Sequence, residues 1–491
     1  MSILATKSIE QIQSQQLGDG HSGGLPRVLG PSQLVMLGVG AIIGTGIFVL
    51  TGQAAAANAG PAIVISMVLA GLTSVLAAFC YSEFASSVPV AGSAYTYAYA
   101  TLGEFVAWII GWDLILEYAL GAATVAVGWS GNLVTLLTQL GISFPAALSA
   151  APGTLVPVPG GDPITAIFNL PAVLIATFVT WLLVRGVQES ARVNAVMVAI
   201  KVAVVLVVIV AGAPFVRAEN YVPFVPENTG NFGAFGWSGI FRGAAVIFFA
   251  YIGFDAVSTA AQEARNPQRD MSRGILGSLA ICTVLYVVVS AVMVGLVPYR
   301  ELDGPAPMAV TVDHARAAAT GTAWAWLANL LPLVVKIGII AGLTSTMVVQ
   351  MLAQPRIFMA MAQDGLLPAW AGRIHPRFRT PHLTTLVTGA IVAVAAGFTP
   401  ISVLGNLVSI GTLFAFVIVS LGILVLRRTQ PDLPRPFRTP WVPFVPIASA
   451  VVSLGLMLSL PASTWERLAI WMVIGVGIYF AYGRTRSAHR T

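Results

Sequence analysis

Lys201 is a charged residue deep inside a long apolar stretch of this 491-residue sequence. If that stretch is helical, Lys201 lies about 13 Å beyond Arg192, since an α-helix rises about 1.5 Å per residue. A lysine at such depth in a bilayer costs about 3 kcal/mol or more, which makes it a functional candidate. We expect Lys201 to couple the activity of the protein to proton binding and release. A static structural ion pair is the alternative interpretation.

Acidic residues in two other apolar stretches are the natural partners of this lysine. Asp113 and Glu117 stand four residues apart, so on a helix they share one face. We expect Glu117 to pair with Lys201, and we take Glu117 and Asp255 as candidate proton carriers. An equal alternative for Asp255 is to cap the helix that follows it, through its acceptor oxygens. Asp113 is interpreted as a packing residue or an indirect support.

A second lysine, Lys336, also lies well inside an apolar stretch. Such a residue is too deep to dismiss as a surface charge. Two interpretations stand side by side: Lys336 faces a cavity, or it forms an ion pair with an acidic residue.

Two apolar stretches are interrupted by glycine near mid-bilayer depth. The first reads Gly38-Val-Gly-Ala-Ile-Ile-Gly-Thr-Gly-Ile-Phe48 and the second reads Phe248-Phe-Ala-Tyr-Ile-Gly-Phe-Asp255. Each glycine costs a helix about 1 kcal/mol relative to alanine, and irregular backbone survives in hydrocarbon only where it lines a cavity. Paired interruptions of this kind indicate the substrate site of a secondary transporter. Close helix packing through small residues is the alternative.

Unwound backbone at these two places suits the two charges of an amino acid. The N–H groups around Gly44, Thr45 and Gly46 would face a carboxylate, as the positive end of a helix dipole does. Carbonyl groups between Phe249 and Gly253 would face an ammonium group, and we expect Phe249 to close over the substrate side chain. The sequence therefore predicts a zwitterion site that needs no charged side chain.

The composition places most of the chain in lipid. Hydrophobic residues make up 57% of it and charged residues 9%, whereas a soluble domain carries about 25% charged residues. Apolar runs of about 20 residues predict twelve transmembrane helices. The predicted helices cover residues 34–57, 61–83, 105–137, 164–184, 191–212, 239–261, 275–297, 325–353, 383–399, 402–426, 441–460 and 465–482.

The connecting segments set the orientation of these helices. Most of the 25 Lys and Arg residues fall on the side of the N-terminus, which predicts that both termini are cytoplasmic. Residues 84–104 are expected to form a short helix at the inner membrane surface, and residues 298–322 a partly helical cap over the outer vestibule. The five histidines and two cysteines lack metal-ligand spacing, so we expect no metal site and no catalytic constellation.

The predicted domain organisation follows from equivalent interruptions in two halves. An odd number of spans per repeat forces opposite topology, so the two halves are expected to form an inverted repeat. The predicted parts are a disordered cytoplasmic tail (1–32), helices 1–5 (33–215), helices 6–10 (216–428), helices 11–12 (429–483) and a cytoplasmic C-terminal tail (484–491).

Six stretches, in this order, resemble the amino acid–polyamine–organocation transporter superfamily and are closest to its cationic amino acid transporter branch. The similarity covers nearly all of residues 30–480. The stretches are Gly38-Val-Gly-Ala-Ile-Ile-Gly-Thr-Gly-Ile-Phe-Val-Leu-Thr-Gly52, Pro89-Val-Ala-Gly-Ser-Ala-Tyr-Thr-Tyr97, Trp112-Asp-Leu-Ile-Leu-Glu-Tyr118, Phe248-Phe-Ala-Tyr-Ile-Gly-Phe-Asp255, Glu263-Ala-Arg-Asn-Pro-Gln-Arg269 and Phe358-Met-Ala-Met-Ala-Gln-Asp-Gly-Leu-Leu-Pro368.

The resemblance implies an all-α integral membrane fold of twelve transmembrane helices. The implied fold is a LeuT-like five-plus-five inverted repeat, in which helices 1 and 6 are broken and two C-terminal helices are peripheral. The implied mechanism is alternating access. The resemblance also implies which positions contact the substrate. They are Ile42, Thr45 and Gly46 on the carboxylate side, and Phe249, Ala250 and Ile252 on the amine and side-chain side.

The resemblance also bears on coupling and substrate. Lys201 matches a lysine that, in proton-coupled relatives, replaces the second sodium of sodium-driven ones, which implies a proton as coupling ion and makes sodium unexpected. Leu343 aligns with a position that shapes the side-chain pocket, and an apolar residue there gives an arginine head group no partner. Lys336 would repel a cationic substrate if it faced the pocket. Both arguments favour small or medium neutral amino acids.

The function predicted from the sequence is secondary active import of L-amino acids across the inner (cytoplasmic) membrane, as proton symport. The alternatives are an amino acid exchanger and a carrier of cationic amino acids. An integral-membrane enzyme is disfavoured because no cluster of His, Asp and Glu lies at the predicted membrane surface. The expected partners are the amino acid and the bilayer, with a small membrane accessory subunit or a homodimer as a further candidate and no nucleic acid.

Overall fold

Helices dominate the part of the chain that the structure describes. The computed structural model describes residues 6–7, 29–88, 93–158, 161–186, 191–259, 264–321, 325–378 and 380–487. Its helices are α1 (Pro31–Ile42), α2 (Thr51–Ala54), α3 (Ile63–Ser87), α4 (Ser93–Thr101), α5 (Glu104–Gln139), α6 (Leu170–Val184), α7 (Ala191–Gly212), α8 (Gly236–Ile247), α9 (Ala256–Thr259), α10 (Pro267–Leu296), α11 (Pro307–Ala319), α12 (Ala325–Gln363), α13 (His382–Phe398), α14 (Ile401–Thr429), α15 (Phe444–Ser459), α16 (Ala462–Ile478) and α17 (Arg484–Arg486). The short strands β1 (Leu155–Val156) and β2 (Ile164–Thr165) pair antiparallel.

Each of the twelve predicted apolar segments contains helix, but not every helix is long enough to qualify alone as a membrane span. By length and composition, 7 helical segments of the described residues qualify: Gly46–Ser87, Glu104–Gln139, Val193–Phe215, Pro267–Leu296, Asn329–Gln363, Ile401–Thr429 and Ala462–Arg486. Shorter apolar helices are Pro31–Ile42, Leu170–Val184, His382–Phe398 and Phe444–Ser459. The protein is therefore an all-helical, multi-pass membrane protein, and the count of twelve crossings stays a prediction.

The fourth predicted span, 164–184, begins too early. Ile164–Thr165 forms β2, and α6 begins only at Leu170. The Asn169 side chain fixes this start by accepting a hydrogen bond from the Ala172 N–H, with Pro171 in the first turn. An apolar run by itself does not mark a helix start, whereas a capping residue followed by proline does.

The two longest helices, α5 and α12, pack against each other at the centre of the molecule. Glycines of α5 permit this approach. A Cβ atom at Gly121 would lie 3.1 Å from the Gln350 side chain, and one at Gly111 would lie 2.8 Å from the Met361 sulfur. Small residues at a helix contact let the backbones come close, which is how helices associate without water to drive them together.

Both predicted interruptions are present in the structure. Helix α1 ends at Ile42, Ile43 is extended (φ −71, ψ 103), and the chain resumes as a π-helical turn at Gly46–Leu50. Helix α8 ends at Ile247 and tightens into a 3₁₀ turn, Phe248–Tyr251, before the chain unwinds.

The inner segment 84–104 forms helix α4, as predicted, but its surroundings differ from a membrane surface. Residues 89–92 of this segment lie outside the described residues. The rings of Tyr95, Tyr97 and Tyr99 are each at most 2% exposed, so α4 is packed inside the protein. The segment is too apolar for a solvated loop, which favoured a position at the membrane surface, but the protein buries all three rings. In the outer segment 298–322, α11 is the predicted partly helical cap.

Candidate substrate-binding site

Side chains from two other helices hold the carbonyl groups freed where α1 ends. The Tyr286 hydroxyl, from α10, donates a hydrogen bond of 2.9 Å to the Ile42 carbonyl. The Thr346 hydroxyl, from α12, donates one of 3.2 Å to the Ile43 carbonyl. A buried carbonyl that accepts no hydrogen bond costs free energy, so these contacts stabilise the unwound backbone.

Lys201 also binds the first interruption. Its Nζ donates to the Gly40 carbonyl at 2.7 Å and to the Thr346 hydroxyl at 2.8 Å, and the side chain is 0% exposed. Gly342 leaves room for the lysine stem, because a Cβ there would lie 2.9 Å from Lys201 Cγ. A buried ammonium group therefore connects the end of α1 to α12.

The opposite side of the first interruption presents donors. The first backbone hydrogen bond beyond the break runs from the Phe48 N–H to the Gly44 carbonyl at 3.4 Å. The N–H groups before Phe48 have no carbonyl of their own helix to bind, as at any helix start. Thr45 adds a buried hydroxyl that makes no hydrogen bond to any described residue. Such groups can bind a carboxylate.

The second interruption presents acceptors. Gly253 has φ +117, a conformation that other residues rarely adopt, and a Cβ there would lie 2.8 Å from the Ala41 backbone. No hydrogen bond recorded among the described residues uses the carbonyls of Ala250, Tyr251 or Ile252. Carbonyl groups freed in this way can bind an ammonium group.

The two interruptions touch each other. A Cβ added at Gly46 would lie 2.2 Å from Ala250 Cα. Only glycine permits this approach, which brings the donors of the first break next to the acceptors of the second. The structure thus brings together Gly44, Thr45, Gly46, Phe249, Ala250 and Ile252, which the sequence analysis assigned to the substrate.

An apolar cluster lies beside the two interruptions. Phe249 and Ile252 of the second break pack with Leu50 from the first and with Val408 from α14. Leu120 of α5 and Ile401 of α14 border the cluster. Leu343 is completely buried on α12, in the main core that also contains residues of both breaks. Val408 is a neighbour of the second break that the sequence did not identify.

The predicted pairing of Glu117 with Lys201 is wrong. Within the described residues, no ion pair joins Glu117 to a lysine; its neighbours are the hydroxyl of Thr412 and the carboxyls of Asp255 and Asp113. The carboxyl of Asp255 accepts a hydrogen bond of 2.9 Å from the Tyr118 hydroxyl. The acids of α5 therefore lie near the end of the second interruption, on a helix that packs against α14.

Asp255 and Asp113 differ in what surrounds them. Asp255 stands directly before α9, where a cap is expected, and its carbonyl accepts the Ser258 N–H at 2.8 Å. Asp113 is 0% exposed and neither of its oxygens has a hydrogen-bond partner among the described residues. Gly411 packs against this carboxyl, since a Cβ there would lie 2.9 Å from Asp113 Oδ1.

Lys336 forms an ion pair and does not face the interruptions. Its Nζ lies 3.0 Å from Asp313 Oδ2 on the cap helix α11 and donates to Gln139 Oε1 at 2.8 Å. Of the two interpretations of Lys336, the ion pair is correct. Lys336 therefore does not repel cationic substrates from the pocket.

This ion pair predicts an asymmetry between its two partners. The Lys336 side chain is 2% exposed and that of Asp313 is 43% exposed. Asp313→Ala leaves a buried ammonium group, which costs about 3–5 kcal/mol, whereas Lys336→Met leaves a carboxylate that water can solvate. We expect the apparent unfolding temperature, at a fixed scan rate, to fall several degrees further for Asp313→Ala. Equal losses for the two variants would contradict this assignment.

Four residues around the interruptions were not predicted from the sequence. Tyr286, Thr346 and Tyr118 contact backbone or carboxyl groups through hydroxyls, and Val408 is one valine among many. For Thr346 the sequence does contain an indication, because the polar stretch Thr344-Ser345-Thr346 interrupts the apolar run of α12. No periodicity rule distinguishes Val408 from its neighbours.

A membrane-embedded helical protein with two touching helix interruptions and buried polar groups around them has the arrangement expected of a transporter. The chain belongs to the amino acid permease family, whose family model matches residues 29–479. It transports amino acids across a lipid bilayer.

Three relatives are transporters or permeases by name, and two of them are named for amino acids. The chain is 45% identical to the branched-chain amino acid permease BcaP of Bacillus subtilis (strain 168), over 99% of this chain and 98% of that protein. It is 43% identical to the methylthioribose transporter of the same organism, over 99% of each chain. A vacuolar cationic amino acid transporter 4 of Arabidopsis thaliana is 38% identical over 88% of this chain and 68% of its own length.

Proposed function

We propose that this protein imports small or medium neutral L-amino acids by proton symport across the cytoplasmic membrane, with both termini in the cytoplasm. The observation that carries the proposal is the apolar cluster of Leu50, Phe249, Ile252 and Val408 beside the two interruptions. An aliphatic side chain finds van der Waals partners there. None of the cluster residues offers an arginine head group an opposite charge. The BcaP relative, a branched-chain amino acid permease by name, supports the same choice.

An inverted repeat of five plus five helices is part of the proposal. The third span of each predicted half contains α5 and α12, which are the two longest helices and pack against each other. The first span of each half contains an interruption. Matching features at matching places support alternating access around the breaks. Helices α15 and α16 are left over, and an accessory subunit or a second copy of the chain would contact them.

Proton coupling rests on Lys201. Its ammonium group holds the Gly40 carbonyl at the first interruption and the Thr346 hydroxyl on α12. A change of charge at this position alters both contacts, and so it can tie substrate binding to the movement of α1. Glu117 and Asp255 are the proposed carriers of the proton, since both carboxyls are buried near the second interruption. Because the lysine ammonium group takes the place of a bound sodium ion, the proposed cycle does not use sodium.

Uptake into liposomes tests the proposed function. Purified protein is reconstituted, and the uptake of labelled leucine, alanine and arginine is measured with and without an inward proton gradient, in sodium-free buffer. We expect leucine or alanine to accumulate only with the gradient and arginine not to accumulate. Equal counterflow of amino acids with no response to pH would indicate the exchanger instead. Accumulation of arginine would indicate a cationic amino acid carrier.

Val408→Phe tests whether the apolar cluster receives the substrate side chain. The larger ring fills space beside Phe249, so a long aliphatic side chain should lose more than a short one. Each methylene in such a pocket changes discrimination by about 10- to 200-fold. We expect leucine uptake to fall at least about tenfold relative to alanine uptake. The matched control is Val451→Phe on α15, where the valine is 62% exposed; an unchanged leucine-to-alanine ratio in Val408→Phe would contradict the assignment.

A second candidate function is the carriage of methylthioribose, which the 43% identity over both whole chains favours. Methylthioribose carries neither a carboxylate nor an ammonium group, so the donors and acceptors of the interruptions would have no ionic partner. Unlabelled methylthioribose is therefore added as a competitor to the leucine uptake assay. We expect no inhibition at a concentration where leucine itself competes fully.

A further inference from the structure

An apolar groove of about 790 Å³ lies between the end of α7, the cap helix α11 and the first turns of α12. A pocket of this volume usually contains a few polar groups that fix the orientation of a polar ligand. Every described residue that lines this groove is apolar, so its walls suit a hydrocarbon ligand. The lining residues include Leu206, Val210, Phe215, Ala315, Ala319 and Val334.

The groove is open to the lipid-facing surface of the protein. Val210 of α7 and Val334 of α12 line it and are 72% and 60% exposed. Both valines belong to helical segments that are long and apolar enough to cross a membrane. Lipid tails are as apolar as leucine side chains, so hydrocarbon surrounds such valines in the bilayer. An acyl chain can therefore enter the groove from the side without leaving apolar surroundings.

The cap helix α11 forms one wall of the groove with small side chains. Ala315 and Ala319 stand four residues apart and so share one face of α11. The ion pair of Lys336 with Asp313 ties the same helix to α12. Because the alanines leave space beside α11, an acyl chain in the groove would contact α7, α11 and α12 together.

Two arginines flank lining residues of the groove. Arg217 stands two residues after Phe215, and Arg316 directly follows Ala315. Both arginines are exposed, and neither forms an ion pair with a described residue. A guanidinium group binds phosphate through two parallel hydrogen bonds, so these arginines suit the phosphate of a lipid headgroup. The predicted outer segments contain few other basic residues, namely Arg242, Arg300 and Arg467.

We propose that this groove binds an acyl chain of an anionic phospholipid of the outer leaflet, with Arg217 and Arg316 at the lipid phosphate, and that the bound lipid holds the cap helix α11 in place. The choice of leaflet rests on the orientation proposed above. A zwitterionic headgroup carries its own positive charge beside the phosphate, so the two arginines favour an anionic headgroup. The lipid is thus a ligand of the cap and not of the amino acid site.

Native mass spectrometry of the full-length protein tests the lipid preference. The protein is offered equal amounts of phosphatidylglycerol and phosphatidylcholine with identical acyl chains. Each basic residue near a membrane surface strengthens the binding of anionic lipid, so we expect phosphatidylglycerol to be retained at least about tenfold more. Arg217→Ala combined with Arg316→Ala should abolish this preference. Arg467→Ala on α16 removes another exposed outer arginine, so it is the matched control and should keep the preference.

A further variant tests the groove itself. Val210→Trp fills the groove from its open side, and we expect the retention of phosphatidylglycerol to fall to the level of phosphatidylcholine. The matched control is Val473→Trp on α16, because Val473 is 71% exposed and does not line the groove. This control should retain phosphatidylglycerol as the native protein does.

Hydrogen–deuterium exchange in nanodiscs tests the effect of the lipid on the cap. By mass action, a ligand at ten times its Kd lowers the opening of the segment that it holds about tenfold. We therefore expect peptides of α11 to exchange about tenfold more slowly in phosphatidylglycerol nanodiscs than in phosphatidylcholine nanodiscs. The difference should vanish in Val210→Trp.

Four results would overturn the proposal. They are equal retention of the two lipids by the native protein, an unchanged preference in the double arginine variant, unchanged retention in Val210→Trp, and exchange in α11 that does not depend on the lipid. A helix of another protein bound in place of the lipid would appear as a polypeptide mass and would also contradict it. Lipid retention does not require amino acid uptake, so a failure here and a failure of the proposed transport activity give separate results.

Discussion

A Gly46→Ala variant should fold and reach the membrane, yet lose amino acid uptake about a hundredfold or more. The added Cβ would lie 2.2 Å from Ala250 Cα and 2.7 Å from the Ala250 N atom. The neighbour is backbone, which cannot rotate away as a side chain can. The two interruptions must therefore move apart, and the distance between their donors and acceptors grows. Overpacking of this kind costs about 1–3 kcal/mol of stability, which a folded membrane protein tolerates.

Uptake of labelled leucine into liposomes measures this prediction, and the apparent unfolding temperature shows that the variant is folded. Gly477→Ala on α16 is the matched control, because a Cβ at that position meets no atom within 4 Å. We expect the control to transport at the native rate. Full uptake by a folded Gly46→Ala variant would mean that the two breaks do not act together on the substrate.

A Lys201→Met variant should lose the response of uptake to a proton gradient while retaining exchange of internal for external amino acid. Methionine fills a volume close to that of lysine, but it cannot donate to the Gly40 carbonyl or the Thr346 hydroxyl. Leaving the buried carbonyl unpaired costs about 1–3 kcal/mol, which is tolerable if the fold is otherwise intact. We expect gradient-driven accumulation to fall at least about tenfold, since the coupling contact is lost.

Lys336→Met is the control for this experiment, because Lys336 is also buried but binds the outer cap helix through Asp313. We expect Lys336→Met to keep its response to the gradient. The measurement is leucine accumulation at several imposed pH differences, together with counterflow without a pH difference. If Lys201→Met still accumulated leucine in proportion to the gradient, Lys201 would be a structural residue.

The interruptions were predictable from the sequence because their cause is local. The glycines at 44, 46 and 253 appear inside apolar runs that contain no other reason for a helix to end. Helical depth likewise identified Lys201 and Lys336 as residues needing a partner. These conclusions depend only on the covalent chain and on what a bilayer cannot solvate.

The partners of these residues were not predictable, because they depend on which helix faces which. Glu117 seemed the natural partner of Lys201, yet α5 presents its acids to Asp255 and Thr412. Lys336 pairs with Asp313 on a cap whose placement no periodicity rule fixes. Lys7 belongs to the segment that was predicted to be a disordered tail, but its side chain is 7% exposed and its Nζ lies 2.8 Å from Asp364 Oδ1. The prediction is therefore wrong at this residue. Residues 1–5 and 8–28 of the tail lie outside the described residues.

The central claim is that backbone groups at the two interruptions bind the carboxylate and the ammonium group of one amino acid. The most direct measurement compares the affinity of purified protein for leucine with its affinities for two analogues, one lacking the ammonium group and one lacking the carboxylate. Charge-assisted hydrogen bonds contribute about 1.5–3 kcal/mol each, so the loss of either charge should weaken binding at least about tenfold, and about a hundredfold or more where two such bonds are lost. Binding of either analogue as tightly as leucine would contradict the account.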